Sequence, residues 1–146
     1  MNILQTMDAA APFTFHHLGL AARSREKAAL FLRTLGYSVG AQVDDDIQQV
    51  CLSYCTHPTM PAVEIITPDG RPGGPLDNML RDKDALFYHT CYAVQDTDAA
   101  VNALRTTGNR LLCLSAKKPA VLFGGASVSF WQVAGFGTVE LLEEGC

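Results

Sequence analysis

Positive charge is scarce and dispersed in this sequence, with 11 Lys and Arg against 15 Asp and Glu and a formal net charge of −4. A protein that grips a nucleic-acid backbone or an acidic membrane gathers its cations into a stripe. None is present, so neither partner is expected, and a small-molecule substrate is. Paired cysteines are lacking too. Cys51, Cys55, Cys91, Cys113 and Cys146 are odd in number and form no C-x-x-C motif, which argues against a zinc ribbon or dithiol redox pair and fits a reducing cytoplasm. No apolar run reaches membrane-spanning length. The opening Met1–Asp8 carries no basic stretch before an apolar one, so no signal peptide is expected.

What the sequence has is a repeat. At 146 residues and 48% apolar composition it can bury one core, and its two halves align at an offset of 89 − 17 = 72 residues. His17-Leu-Gly-Leu-Ala21 lies over His89-Thr-Cys-Tyr-Ala93. Without gaps, Ala28 then pairs with Ala100, Leu32 with Leu104, Arg33 with Arg105, Thr34 with Thr106 and Gly36 with Gly108. A repeat of this kind constrains the fold more than local propensity does.

Each half predicts a strand first, Phe15–Ala22 and Phe87–Val94. A helix follows. In the first, Ala28, Phe31, Leu32 and Leu35 recur at helical spacing, Ser24 is the N-cap candidate and Gly36 the stop. In the second, Asp96 or Thr97 is the cap, Ala100, Val101 and Leu104 are the buried stripe, and Gly108 is the stop. Three strands complete each half: Tyr37–Val43, Gln48–Tyr54 and Ala62–Thr67, then Leu111–Leu114, Ser127–Val133 and Thr138–Glu143. The expected class is α+β, with two β-α-β-β-β modules over 14–68 and 86–143 in one structural domain. Residues 1–13 are expected to be a flexible arm, and 69–85 a connector with a short helix around Leu76–Leu80. The second half is longer by (140 − 89) − (64 − 17) = 4 residues, expected in a hairpin loop.

Each module carries a His early and a Glu late. Glu64 and Glu140 interrupt apolar strands, where an ionised carboxylate is costly unless paired or bound to metal. Taken singly, such a Glu more often faces solvent and such a His is an ordinary core residue; recurrence at matched positions favours a site. His17, Glu64, His89 and Glu140 are two imidazoles and two carboxylates, a donor set suited to one divalent ion of Zn, Ni, Co, Mn or Fe. Pseudo-twofold symmetry would bring them together and leave coordination positions open for substrate. His16 competes with His17, but the repeat favours His17.

In order and spacing, the motifs His17-Leu-Gly-Leu-Ala, Val63-Glu64-Ile-Ile-Thr-Pro68, Phe87-Tyr-His89-Thr-Cys-Tyr-Ala-Val94 and Val139-Glu140-Leu-Leu-Glu143 resemble the vicinal oxygen chelate superfamily, especially its methylmalonyl-CoA epimerase-like branch. The resemblance spans about residues 15–143. It implies an open, U-shaped, eight-stranded barrel around a central cleft, with those four residues as metal ligands. It also implies an enzyme, an isomerase or epimerase that stabilises an enolate of a small α-carbonyl or acyl-thioester substrate, with Glu140 moving a proton and a homodimer as the common form. Some such epimerases carry a second acidic base on the strand matching Gln48–Tyr54. Here that strand offers Gln48, Gln49, Cys51 and Ser53, which leaves Glu64 or another group for the role. The rivals are a glyoxalase-I-like lyase, which the Glu64 and Glu140 pair also suits, and a non-catalytic, antibiotic-type binding protein, which absence of metal would favour.

Gln49, Cys51, Cys91, Lys117 and Lys118 are the remaining cleft candidates. Cys91 is two residues beyond His89 and so faces the same side, though such cysteines are most often small core hydrophobes. Lys117 and Lys118, before a glycine turn, suit an anionic substrate or a plain solvated hairpin. Asp44-Asp45-Asp46 reads as an exposed turn, and His57 as exposed.

Overall fold

The helices in the computed structural model start and stop where the sequence marks them. The structure describes residues 13–144, so most of the arm at 1–13 and Cys146 lie outside the described residues. Strand β1 (Thr14–Ala22) leads to α1 (Arg25–Thr34), whose Ser24 hydroxyl accepts from the Lys27 N–H. Gly36, at φ 101°, ends it in a left-handed turn that closes through Tyr37 N–H to Leu32 O at 3.0 Å. The second helix, α2 (Thr97–Thr106), repeats this, with Asp96 accepting from the Ala99 N–H and Asn109 N–H donating to Leu104 O at 3.0 Å.

Contacts divide the chain into two units. One is His17–Tyr88. It holds most of β1 with α1, β2 (Ser38–Val39), β3 (Val43–Asp45), β4 (Val50–Thr56) and β5 (Val63–Pro68). Its strands run in the order β2-β4-β5-β1, with β3 also paired to β4. β1 and β5 are parallel and the others antiparallel. Leu20, Ala22, Ala29, Leu32, Cys55, Val63 and Ile65 form its core on the helix side of the sheet.

The other unit comprises residues 13–16 and 89–144. It contains most of β6 (Ala85–Val94), α2, β7 (Leu111–Pro119), a single 3-10 turn at Val121–Phe123, β8 (Ser127–Val133) and β9 (Gly137–Glu143). Its order is β6-β9-β8-β7, with β6 and β9 parallel. Val94, Ala100, Val101, Val133, Val139 and Leu141 form its core, joined by Phe13 and Trp131.

The α+β architecture is as expected, but the described residues form nine strands in place of eight. The strand foreseen over Tyr37–Val43 is split because Gly40 meets β4 closely: its N–H donates to Tyr54 O at 2.9 Å, and a Cβ there would lie 2.6 Å from that oxygen. The strand foreseen over Gln48–Tyr54 starts at Val50, since Asp46–Gln49 is the hairpin turn. Asp45 is buried instead of exposed, its carboxylate accepting from Gln48 N–H and Nε2–H at 3.0 and 2.8 Å. On α1, Phe31 and Leu35 are exposed while Ala29 and Leu32 face the core, so the helix is rolled relative to its expected stripe. Leu76–Leu80 forms turns, not a helix, though both leucines are buried.

His57 is half-buried and works as a latch. Its Nδ1 accepts the Thr59 and Met60 N–H groups at 3.1 Å each, and its Nε2 lies 3.0 Å from Leu35 O at the end of α1. With Nδ1 accepting, the ring proton sits on Nε2 and donates to that carbonyl.

Candidate functional site

The parallel strand pair of each unit carries one His and one Glu in the same register. In the first unit, Gly19 of β1 lies opposite Glu64 of β5. Residues two apart on a strand share a face, so His17 points to the same side as Glu64. In the second unit, Cys91 of β6 lies opposite Glu140 of β9, and His89 is again two residues earlier. The two half-sites are thus one construction made twice, on the sheet face away from each unit's helix. All four residues are buried, at 0% and 5% exposure for His17 and Glu64 and 4% and 3% for His89 and Glu140.

Within each pair, Nε2 and Oε1 are 3.8 Å apart for His17 and Glu64 and 3.4 Å for His89 and Glu140. A charge-assisted hydrogen bond would be about 2.7–2.9 Å. Two donors bound to one ion at about 2.0–2.2 Å, with an angle near tetrahedral, stand about 3.3–3.6 Å apart. Both separations lie nearer that spacing than direct hydrogen bonding. Each of the four side chains offers one ligand atom, and the nitrogen and oxygen chemistry fits a divalent ion.

Both pairs are backed by an aromatic ring that sequence reasoning missed. Tyr54 on β4 is the cross-strand partner of Glu64, and Phe130 on β8 is that of Glu140. Each ring meets its imidazole edge to face: Tyr54 and His17 at 5.9 Å and 86°, Phe130 and His89 at 5.3 Å and 84°. The signal was available, because 130 − 54 and 140 − 64 both equal 76. The extra length of the second half therefore falls between the helix end and these rings, as in the expected hairpin.

A family model for the Glyoxalase/Bleomycin resistance protein/Dioxygenase superfamily matches residues 16–130. The chain belongs to that superfamily. The resemblance read from its motifs is thereby borne out. Among curated proteins, it is similar to an ethylmalonyl-CoA/methylmalonyl-CoA epimerase of Cereibacter sphaeroides, 34% identical over 99 residues that cover 66% of this chain and 72% of the relative. Among solved structures, methylmalonyl-CoA epimerase from Mycobacterium tuberculosis aligns with a TM-score of 0.73 at 19% identity, covering 91% of this chain and 89% of that one. A variant of the Streptomyces coelicolor methylmalonyl-CoA epimerase, in complex with 2-nitronate-propionyl-CoA, aligns at 0.69 and 19%, covering 92% and 100%. Those structures share the fold.

The cleft candidates of this superfamily member separate by sheet face. Cys91 is fully buried on the face of Glu140. Lys118, opposite Val128, which in turn lies opposite Leu142, shares that face. Lys117 does not: its Nζ lies 3.2 Å from Glu143 Oε1, and this partner raises the Lys117 pKa. Cys51 is opposite Thr67, on the face away from Glu64, so it leaves the candidate set. There its thiol donates to Asp44 at 3.3 Å, and burial together with that carboxylate pushes its pKa up. Gln49 is also displaced, to an exposed turn position at φ 60°. The residues β4 presents on the Glu64 face are Val50, Leu52, Tyr54 and Thr56, without a carboxylate.

Proposed function

We propose that this chain is a metal-dependent epimerase of acyl-CoA thioesters of the methylmalonyl-CoA type. In this reading His17 and Glu64 of module 14–68 and His89 and Glu140 of module 86–143 hold one divalent ion. The observation that carries it is the buried His–Glu pair repeated in one register. The likeness to the Cereibacter sphaeroides epimerase supplies the substrate class. When bound, the ion would act as a Lewis acid towards vicinal substrate oxygens.

The chain's own groups do the rest. A carbon flanked by a thioester and a second carbonyl gives up its proton once the charge left behind is stabilised. Glu140 takes that proton; the C–H electron pair moves towards the thioester oxygen. Inversion needs a proton returned to the opposite face, and Glu64 of the other module, entering the turnover as the protonated acid, gives it up. Glu140 then returns its proton to solvent and Glu64 takes one back before the next turnover. Apolar neighbours such as Leu52, Ile66, Val128 and Leu142, on the same sheet faces, keep water from competing. Free thiols at Cys51, Cys55 and Cys113 accord with a reducing cytoplasm.

The test is α-deuteration of methylmalonyl-CoA and ethylmalonyl-CoA in D2O by metal-loaded protein. We expect exchange with interconversion of epimers, and near one metal per chain. No exchange on either thioester with metal bound would refute the reading, and turnover of a hemithioacetal instead would make it a glyoxalase-type lyase.

A further inference from the structure

Of the two rings that back the half-sites, only one carries a hydroxyl. Both take the same cross-strand position beside a glutamate and the same perpendicular contact with a histidine. If an aromatic edge were all the position required, phenylalanine would serve at 54 as it does at 130. Tyr54 is half-buried, and of the other side chains that β4 presents on that face Val50 and Leu52 are apolar and buried, while Thr56 is exposed at the strand's end. On the helix, Arg25 is committed to the other face, its Nε–H donating to Ser53 Oγ at 2.7 Å and its NH2 group to Gly40 O at 3.0 Å. The phenol is therefore the hydrogen-bond donor that β4 places directly across from Glu64, Thr56 lying two residues further on at the exposed end of the strand.

We propose that Tyr54 is a catalytic residue whose hydroxyl donates a hydrogen bond to the substrate oxygen that gains charge as the α-proton leaves. This rests on the epimerase reading above. The α C–H bond breaks and a carboxylate O–H bond forms; the electron pair passes to the thioester oxygen; Tyr54 keeps its own proton throughout. The modules then have unequal roles, one giving a carboxylate and a neutral donor, the other a carboxylate alone. Donors placed where charge develops contribute most in a water-poor site.

Tyr54→Phe, which reproduces the arrangement at Phe130, tests this in the metal-loaded protein with methylmalonyl-CoA. We expect α-proton exchange to fall about 100-fold in kcat, with KM changed less than about threefold. Affinity for 2-nitronate-propionyl-CoA, whose nitronate oxygens mimic the charged intermediate, should fall far more than affinity for substrate. Metal content and thermal midpoint should stay at wild-type values. Exchange within about threefold of wild type overturns the proposal, as does equal weakening of substrate and nitronate. Loss of metal or of folding in the variant makes the hydroxyl structural and overturns it too. Retained exchange with lost inversion would make Tyr54 a proton carrier instead. Wild-type protein that exchanges nothing removes the epimerase reading and this proposal together, and that outcome is distinct from a defect seen only in the variant.

Discussion

The two modules share what touches the His–Glu pair and how their helices are capped and ended, and differ in the ties that fasten helix to sheet. Both place His two residues before the partner of Glu, and both put a ring across from Glu. Beyond that they diverge. The first has a strand broken at Gly40, the His57 latch and the tie from Arg25 to Ser53. The second has an unbroken nine-residue β7, and it fastens its helix through Glu143, which reaches Thr97 N–H and Lys117. The site and the helix ends are repeated, whereas the ties around them are solved afresh.

The largest effect should come from breaking the equivalence at the histidines. His17→Ala and His89→Ala are each expected to lower bound metal from near one per chain to near zero, measured by elemental analysis after gel filtration, and to abolish exchange. Removing one ligand leaves a buried carboxylate without its cation, a penalty of several kcal/mol. If one variant kept full metal and the other did not, the modules would not be equivalent at the site.

Next come the cores. Ile65 and Leu141 stand 76 residues apart, both 1% exposed and both packed on the helix side. Truncation of either to Ala is expected to cost about 2–5 kcal/mol in denaturant unfolding. Similar losses would show that each module's core contributes comparably. A smaller effect is expected where the modules differ. Gly40→Ala forces a Cβ against Tyr54 O and should cost about 2 kcal/mol. Leu112, its counterpart 72 residues on, is 65% exposed, and Leu112→Ala should stay within about 0.5 kcal/mol.

Fold legibility followed from the repeat. Periodicity, Ser24 and Asp96 as caps and Gly36 and Gly108 as stops located both helices, and the strands bearing Glu64 and Glu140 came out within a residue or so. Strand breaks were hidden because Gly40 matters through a contact with Tyr54 that lies 14 residues away in sequence. The candidate ligands were legible as a matched set, since burial of Glu among Val and Ile is a local pattern. Sheet face was not, because it depends on cross-strand register: Cys51 pairs with Thr67 and so turns away from Glu64, and Lys117, next to Lys118 in an alternating strand, turns to the side of Glu143. Tyr54 escaped notice since a lone tyrosine in an apolar strand looks like core until its partner Phe130 is aligned with it.

The smallest effect concerns pH and belongs to the second module. The Thr97 N–H, with further help from Lys117, holds the Glu143 carboxyl below its ordinary pKa of 4.5. A carboxyl whose pKa is lower in the folded state stabilises the fold fully above 4.5 and loses that contribution as pH falls through the lower folded value. The first module has Thr67 at the matching position, 143 − 76, and cannot titrate there. Glu143→Gln keeps an oxygen for Thr97 N–H but removes the charge facing the α2 N-terminus. Its thermal midpoint should therefore lie slightly below that of wild type near neutral pH, by a few degrees at most, because the group is partly exposed and salt screens it. The gap should close as pH drops well below 4.5 and shrink in high salt. A gap that stayed constant from pH 7 to pH 3 would mean that Glu143 acts through shape and not charge, and the second module would then be fastened by the same neutral means as the first.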